Sequence, residues 1–183
     1  MIYTMAVIPE MLKIDSPDKL DATQKVGQYF ITKGYKITDI DVLRPWGFYF
    51  YFDPAQTEKF AKDFFDGVEL TDINTSMPLQ PKVLVFEPGK VNSWQYHHRR
   101  SEIWRVISPK IQTTMSDQDD QPPARTLKFG DVVNFPQGMR HRGGAVNDEW
   151  GAVAEIWQHT DPNNPSDEAD IVRLQDDFGR ANG

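Results

Sequence analysis

The spacing of apolar residues divides the chain into a helical first part and a second part rich in β-strands. Before about residue 80, two segments carry apolar residues at the spacing of an amphipathic helix. The first helix is predicted over residues 16–34, with Ser16 as N-cap, Pro17 at the first helical position and Gly34 as terminator. Its apolar stripe consists of Leu20, Val26, Tyr29 and Phe30.

The second helix follows an aromatic strand that the sequence predicts at Gly47–Phe52. We expect this helix to open at Asp53 and Pro54 and to end at Gly67. Its buried face would carry Phe60 and Phe64.

Beyond Pro81, short apolar runs alternate with turn residues, a texture typical of a β-sandwich or barrel. Strands are predicted at 82–86, 102–107, 111–115, 131–135 and 152–159. The closing segment, DEADIVRLQDDFGR, is predicted to form a short helix. One face of that helix would carry Ile171, Leu174 and Phe178.

Size and composition limit the classes of function. The 183 residues fit one domain, and no run of 18 apolar residues suggests a membrane span. The first residues lack the pattern of a secretory leader, so we expect a cytoplasmic protein. A net charge of −7 disfavours nucleic acid as a partner, and the absence of cysteine restricts any metal site to nitrogen and oxygen ligands.

Three of the four histidines lie in two clusters that could form such a site. In residues 88–104, Gln95 and His97 share one strand face, and Glu102 opens the next strand. In residues 130–144, a Pro-x-Gly turn presents His141. A single histidine would more simply be a polar residue on a strand edge, but four ligand types at these offsets favour a divalent metal.

The spacing of the two clusters resembles the cupin superfamily. The first cupin motif matches Gly89, Gln95, His97 and Glu102, with Gln95 in place of the first histidine. The second matches Gly130, Pro136, Gly138 and His141 without a gap. This resemblance implies a mainly β fold, a cupin double-stranded β-helix or jelly-roll barrel over 44–183, with an N-terminal helical extension over 1–43.

Further segments resemble the type II mannose-6-phosphate isomerase domain of bifunctional mannose-1-phosphate guanylyltransferases. They are RPWG at 44–47, KVLVFEPG at 82–89, SWQYHHRRSEIW at 93–104 and EADIVRLQDDFGR at 168–180. The chain departs from that family in an insert after RPWG and in Pro109, which stands where the first motif usually ends in glycine. No Gly-rich nucleotide loop occurs, so guanylyl transfer is not expected.

The resemblance implies a metal-dependent aldose–ketose isomerase that acts on a small-molecule sugar phosphate such as mannose 6-phosphate. One glutamine, two histidines and one glutamate resemble the set in phosphomannose isomerases and suit a Lewis acid, with zinc expected first and manganese next. Isomerisation of a free sugar and sugar binding without turnover are the alternatives. Because cupins often pair through barrel edges, a homodimer is expected.

The residues beyond the metal are predicted as two groups. The catalytic candidates are Glu155, on the late strand, His98, beside the ligand His97, and Arg180, in the closing segment. His98 would face away from the metal on a regular strand, which leaves a structural role open. The substrate-binding candidates, selected because arginine binds phosphate in bidentate fashion, are Arg99, Arg100, Arg142 and Arg173. For Arg173 an ion pair with Asp176 or Asp177 is the alternative.

Overall fold

A computed structural model describes residues 10–66 and 79–180 of the chain. In these ranges two helices precede or interrupt the early strands, at Lys19–Thr32 (α1) and Thr57–Phe65 (α2). The strands are β1 Ile37–Asp41, β2 Gly47–Phe52, β3 Leu79–Phe86, β4 Trp94–Tyr96, β5 Arg100–Val106, β6 Lys110–Ser116, β7 Arg125–Lys128, β8 Val132–Phe135, β9 Arg140–Gly144, β10 Gly151–His159 and β11 Val172–Gln175.

The strands form two antiparallel sheets that face each other. The first sheet has the order β1-β2-β3-β10-β5-β8, and the second has the order β11-β4-β9-β6-β7. This crossing of sequence-distant strands in two packed sheets is a jelly-roll barrel, as the sequence predicts. The five predicted strands are confirmed as β3, β5, β6, β8 and β10, each with slightly different ends.

The six-stranded sheet is covered on both faces, which gives the protein three layers. Its outer face presents Phe48, Phe50 and Phe52 to an apolar cluster that includes Val26 and Phe30 of α1. Residues of opposite parity point to the barrel interior, where an aromatic cluster lies between the sheets. The predicted extension therefore packs on the barrel sheet, while the division at residue 43 stays a prediction.

Polar residues occupy several inward positions of the same sheet. Lys82 shares the inward face of β3 with Leu84, two residues along the strand. In the same way Glu102 shares the inward face of β5 with Trp104, and Glu155 shares that of β10 with Trp157. All of these side chains are buried. Burying a charged group is costly unless the group is paired. This concentration of polar side chains therefore indicates a functional site in the barrel interior.

The ends of α1 differ in part from the prediction. Asp18, not Ser16, is the N-cap, and its carboxylate accepts a hydrogen bond from the Asp21 amide at 2.9 Å. The helix therefore begins two residues later than a cap at Ser16 requires. Gly34 is confirmed as terminator: its φ of 79° lets the Tyr35 amide bond the Phe30 carbonyl in a Schellman turn.

One residue predicted to lie on the buried face of a helix is exposed in the structure. Leu20 is 70% exposed, because Ala22, Val26 and Phe30 form the buried face of α1. A 3₁₀ turn after Asp53 leads into α2, and Phe60 and Phe64 are buried as predicted. The predicted end at Gly67 lies outside the described residues. Neither helix combines the length and the apolar character that a membrane crossing requires.

The prediction of a helix in the closing segment is wrong. Val172–Gln175 is a strand, β11, that pairs with β4 at the edge of the five-stranded sheet and places Arg173 opposite Gln95. Leu174 and Phe178 are 38% and 37% exposed, so they form no buried helical stripe. The open hydrogen-bonding edge of β4 satisfies the backbone of this segment, a tertiary contact that outweighs weak helix propensity.

Candidate metal centre

Three side chains from both sheets meet in the barrel interior. Glu102 lies on β5, His141 lies on β9, and His97 follows β4 directly. One donor atom from each residue lies within 4.8 Å of the other two, and all three side chains are buried. The Glu102 carboxylate lies between the rings, with Oε1 3.2 Å from His97 Nε2 and Oε2 3.3 Å from His141 Nε2. We call these three residues the His-Glu-His group.

Backbone carbonyls fix the tautomers of both histidines. His97 Nδ1 lies 2.5 Å from the Asp170 carbonyl, and His141 Nδ1 lies 3.0 Å from the Met139 carbonyl. A carbonyl only accepts, so each Nδ1 carries the proton and each Nε2 directs a lone pair at the group. His141 Nε2 is buried and receives no hydrogen bond from the described residues. Two imidazole lone pairs and a carboxylate fit a divalent metal ion.

The charge states agree with this donor set. Burial, followed by the nearby Arg100 guanidinium, lowers the pKa of His97 to about 4, so its ring is neutral. Burial opposes ionisation of Glu102, but the Arg100 guanidinium, which donates to Glu102 Oε1, holds the pKa of that carboxyl well below its usual range.

Gln95 adjoins the group through its amide. It is the cross-strand partner of His141, and its Nε2 lies 3.4 Å from His97 Nε2. Its Oε1 accepts a hydrogen bond from the Ser93 hydroxyl. To ligate a metal, the amide must turn over so that its oxygen replaces its nitrogen, and Ser93 can accept from the NH₂ in that orientation.

Arg100 is bound to the group rather than directed into open space. Its Nε donates to Glu102 Oε1 at 2.8 Å, its Nη2 lies 3.2 Å from His97 Nε2, and its Nη1 donates to the Ser166 hydroxyl at 3.0 Å. The guanidinium lies 3.7 Å from the centroid of the Trp157 ring. This predicted substrate-binding residue therefore also acts as the charge partner of Glu102.

A cavity opens beside the group, and Gln95, Arg100 and Glu102 line part of it. Its wall contains an unusual share of charged side chains for a barrel interior. They are Arg44, Lys82, Arg173, Arg180, Glu155 and Glu168. Trp104 and Trp157 supply aromatic surface, and Trp94 lies outside the lining.

Glu155 lies on this wall as a buried carboxyl group. Its Oε1 has no hydrogen-bond partner among the described residues. Burial, and next the negative charge of Glu102, raise the pKa of Glu155 from 4.5 to about 8. A carboxyl with a pKa near neutrality can both take up and release a proton.

Two predicted arginines reach the cavity from the closing segment. Arg173 lines it from β11. Arg180 lines it while holding Asp176 through both Nε and Nη2. This segment thus returns to the barrel interior as a strand and a turn instead of a helix.

Three predicted residues do not line the cavity. His98 is exposed, and its ring packs edge-on to Tyr96 with 5.2 Å between centroids. Arg99 binds the loop after β10 through Asn164 and Asp167. Arg142 binds the Asn92 carbonyl and Asp177. Arg142 follows the inward His141 on β9, so strand alternation turns it away from the group, while His98 and Arg99 lie in the turn before β5. The site roles predicted for these three residues stay predictions.

Sequence reasoning missed three charged residues of the wall, Arg44, Lys82 and Glu168. A signal existed for Lys82, since a lysine inside the apolar run 82–86 breaks the pattern of a buried strand. Arg44 lies in the RPWG segment, whose glycine is required because a Cβ at Gly47 would lie 1.9 Å from the Val85 carbonyl oxygen. Glu168 comes from a loop, and its signal was its place at the start of the segment 168–180 that resembles the isomerase domain.

Asp170 holds the first histidine cluster in position. Its carboxylate accepts hydrogen bonds from the His98 and Arg99 amides, both at 3.0 Å, and from the Ser166 hydroxyl at 2.7 Å. Its own carbonyl accepts from His97 Nδ1. The side chain therefore anchors the carbonyl that sets the His97 tautomer.

We expect Asp170→Ala to weaken metal binding by about 10–100-fold, the usual cost of losing a partner that orients a ligand. Titration of zinc or manganese into metal-stripped protein measures the change. Asp161→Ala is the matched control, because the Asp161 side chain lies in the same loop and accepts from the Asn163 amide instead of from the histidine cluster. Unchanged affinity in Asp170→Ala would contradict the positioning role.

No protein-family model matches the chain. It is similar to the Xanthan biosynthesis protein XanB of Xanthomonas campestris pv. campestris (strain B100), with 27% identity over 139 residues, 76% of this chain and 23% of that protein. It is also similar to auxin-binding protein ABP19b of Prunus persica, with 33% identity over 90 residues, 49% of this chain and 40% of that protein. The chain spans less than half the length of either relative.

Several solved structures resemble the chain. A mutant of Bacillus subtilis oxalate decarboxylase has 16% identity and a TM-score of 0.49, covering 72% of this chain and 29% of that one. A Cupin 2 conserved barrel domain protein from Salinispora arenicola has 24% identity and a TM-score of 0.39, covering 48% and 68%. A protein from Acidithiobacillus ferrooxidans, provisionally named a sugar phosphate isomerase, has 26% identity and a TM-score of 0.38, covering 44% and 49%. The chain's own two sheets make it a mainly β jelly-roll barrel, with a buried His-Glu-His group that could bind a metal ion.

Proposed function

We propose that the protein is a metal-dependent aldose–ketose isomerase of a sugar phosphate, resembling mannose-6-phosphate isomerase. The observation that carries this proposal is the buried His-Glu-His group beside a cavity that also holds a buried carboxyl group, Glu155. Isomerisation moves one proton between neighbouring carbons and needs stabilisation of the charge that develops on their oxygens. A Lewis acid and a carboxyl with a raised pKa together meet both needs.

The residues that would hold the metal are His97, Glu102 and His141, joined by Gln95 after rotation of its amide. When bound, the ion supplies a Lewis acid for the C1 and C2 oxygens, and zinc or manganese suits these ligands. In the aldose-to-ketose direction Glu155 takes the proton from C2 and returns it to C1, while the O2 hydroxyl proton passes to O1, which completes the exchange of carbonyl and hydroxyl. The buried walls hold the sugar and exclude water, which protects the proton during transfer.

The cationic lining supports a phosphorylated substrate. Arg173 and Arg180 lie on the segment that returns to the cavity. A guanidinium stays charged in any environment and offers paired donors to phosphate oxygens. Similarity to XanB, a xanthan biosynthesis protein, over 76% of the chain supports a role in carbohydrate metabolism.

A second candidate function is binding of a small ligand without turnover. It is favoured by the 33% identity to an auxin-binding protein over 90 residues. A binding protein would use the same cavity and metal but would not need Glu155 to change its protonation state.

Metal analysis and an interconversion assay together test the proposal. We expect the purified protein to bind zinc or manganese and to interconvert an aldose 6-phosphate with the corresponding ketose, and chelation to stop the reaction. Turnover of free sugars alone would replace the phosphorylated substrate with an unphosphorylated one. Ligand binding with no turnover on any loaded metal would favour the binding protein.

A further inference from the structure

Glu168 reaches from the loop between β10 and β11 to three donors at the mouth of the cavity. Its Oε1 lies 2.9 Å from Lys82 Nζ and accepts a hydrogen bond from the Tyr51 hydroxyl. Its Oε2 lies 3.7 Å from Arg44 Nη2. We call Lys82, Tyr51 and Arg44 the donor triad. A carboxylate of the protein thus holds an arrangement of donors suited to an anion.

The triad belongs to the barrel, with Lys82 as its centre. The Lys82 side chain is 5% exposed, and its Nζ lies 3.9 Å from the Tyr49 centroid, 4.8 Å from Tyr51 and 4.5 Å from Trp157. Aromatic faces accommodate a desolvated ammonium. Because a buried ammonium is costly without an anionic partner, Lys82 requires a negative group at this position.

The carboxylate that pairs with Lys82 belongs to a loop and not to a strand of the barrel. The Glu168 side chain is 41% exposed, against 5% for Lys82, and it belongs to a loop. Glu168 and Trp157 also line an outer groove that lies next to the cavity, together with Thr38, Gln80 and His159. The carboxylate therefore lies where the groove and the cavity meet, and water can solvate it there when it leaves Lys82.

We propose that the donor triad binds the anionic group of a ligand, a phosphate or a carboxylate, and that Glu168 occupies this site as an internal competitor. An incoming phosphate offers three oxygens, enough for one to face each donor. Lys82 stays paired throughout, while Glu168 moves into solvent. The inference rests on the proposed function and deepens it, because it names Lys82, Tyr51 and Arg44 as the donors to the substrate's charged end. Arg173 and Arg180 stay part of the cationic lining of the same cavity.

A purely structural role for the same ion pair makes the opposite prediction. If Glu168 only fastens the loop to the barrel, its removal loosens the cavity wall and weakens ligand binding. If Glu168 competes with the ligand, its removal raises the fraction of binding-competent sites and tightens binding. The sign of the change therefore separates the two roles.

The test compares Glu168→Gln, Lys82→Met and wild type by calorimetry with inorganic phosphate, a hexose 6-phosphate and a hexuronate. We expect Glu168→Gln to bind at least one anionic probe about 10-fold more tightly, as for a competitor that fills about nine sites in ten. Lys82→Met, which keeps a long unbranched side chain among the rings, should lose that binding while retaining metal. The probe that gains more identifies phosphate or carboxylate as the ligand group.

Asp161→Asn is the matched control, since Asp161 lies in the same loop as Glu168 but lines neither the cavity nor the outer groove. A similar gain in this variant, unchanged or weaker binding in Glu168→Gln, or no binding of any probe would overturn the inference. Thermal unfolding and metal content establish that each variant is folded. If Glu168→Gln tightens binding but the protein turns over no sugar, the proposed isomerase fails and the anion site stands; the reverse result rejects only the anion site.

Discussion

Glu155→Gln is expected to lower isomerase turnover by about 10²–10⁴-fold, the usual contribution of a positioned acid–base group. The amide preserves the size of the side chain and its place on the cavity wall but cannot exchange a proton at the sugar carbons. Metal content and substrate affinity should stay near wild type, because Glu155 lies outside the His-Glu-His group. Steady-state kinetics with metal-loaded protein measure the loss.

Stability gives an independent check on the same variant. The folded-state pKa of Glu155 is raised from 4.5 to about 8, chiefly by burial, so ionisation favours the unfolded chain. Wild type should lose stability as the pH rises through this range, and Glu155→Gln should lack that part of the loss. Thermal unfolding across the range, with exposed Glu149→Gln as control, measures it. Wild-type turnover in Glu155→Gln would exclude this residue as the base.

Glu102→Gln is expected to abolish metal binding and to destabilise the fold by about 3–5 kcal/mol. Glu102 is the carboxylate between the two histidines. Its replacement should therefore weaken metal binding more than Asp170→Ala does. The Glu102 carboxylate also accepts the buried Arg100 Nε at 2.8 Å. Without it, the guanidinium remains buried beside His97 with no carboxylate partner. Metal titration and denaturant unfolding measure the two effects separately.

The double variant Arg100→Met with Glu102→Gln separates the loss of the metal ligand from the loss of the charge partner of Arg100. Removing the guanidinium removes the unpaired charge, so the double variant should recover part of the lost stability. It should not recover metal binding, because the carboxylate ligand is still absent. Wild-type metal affinity in Glu102→Gln would contradict the assignment of the metal to this group. A double variant no more stable than Glu102→Gln would contradict the charge-partner role of Arg100.

The sequence by itself determined which residues could form the centre and on which strands they lie. Spacing of two along a strand places Gln95 and His97 on one face, and the Pro-x-Gly turn directs His141. Short apolar runs between turn residues beyond Pro81 predicted the strands of a β-sandwich or barrel. These are local properties, and the two-residue period of a strand reveals them without knowledge of the residues that pack against the strand.

Only the tertiary structure decided which long-range partners these residues have. Parity tells that Glu155 and Trp157 share a face, but the pairing of β10 with β3 and β5 makes that face the interior. The closing segment became a strand because β4 offered an open edge. Lys82 and Glu168 are 86 residues apart, so their pairing depends on the path of the whole chain. Contacts of this kind arise from packing between distant segments, and no local pattern encodes them.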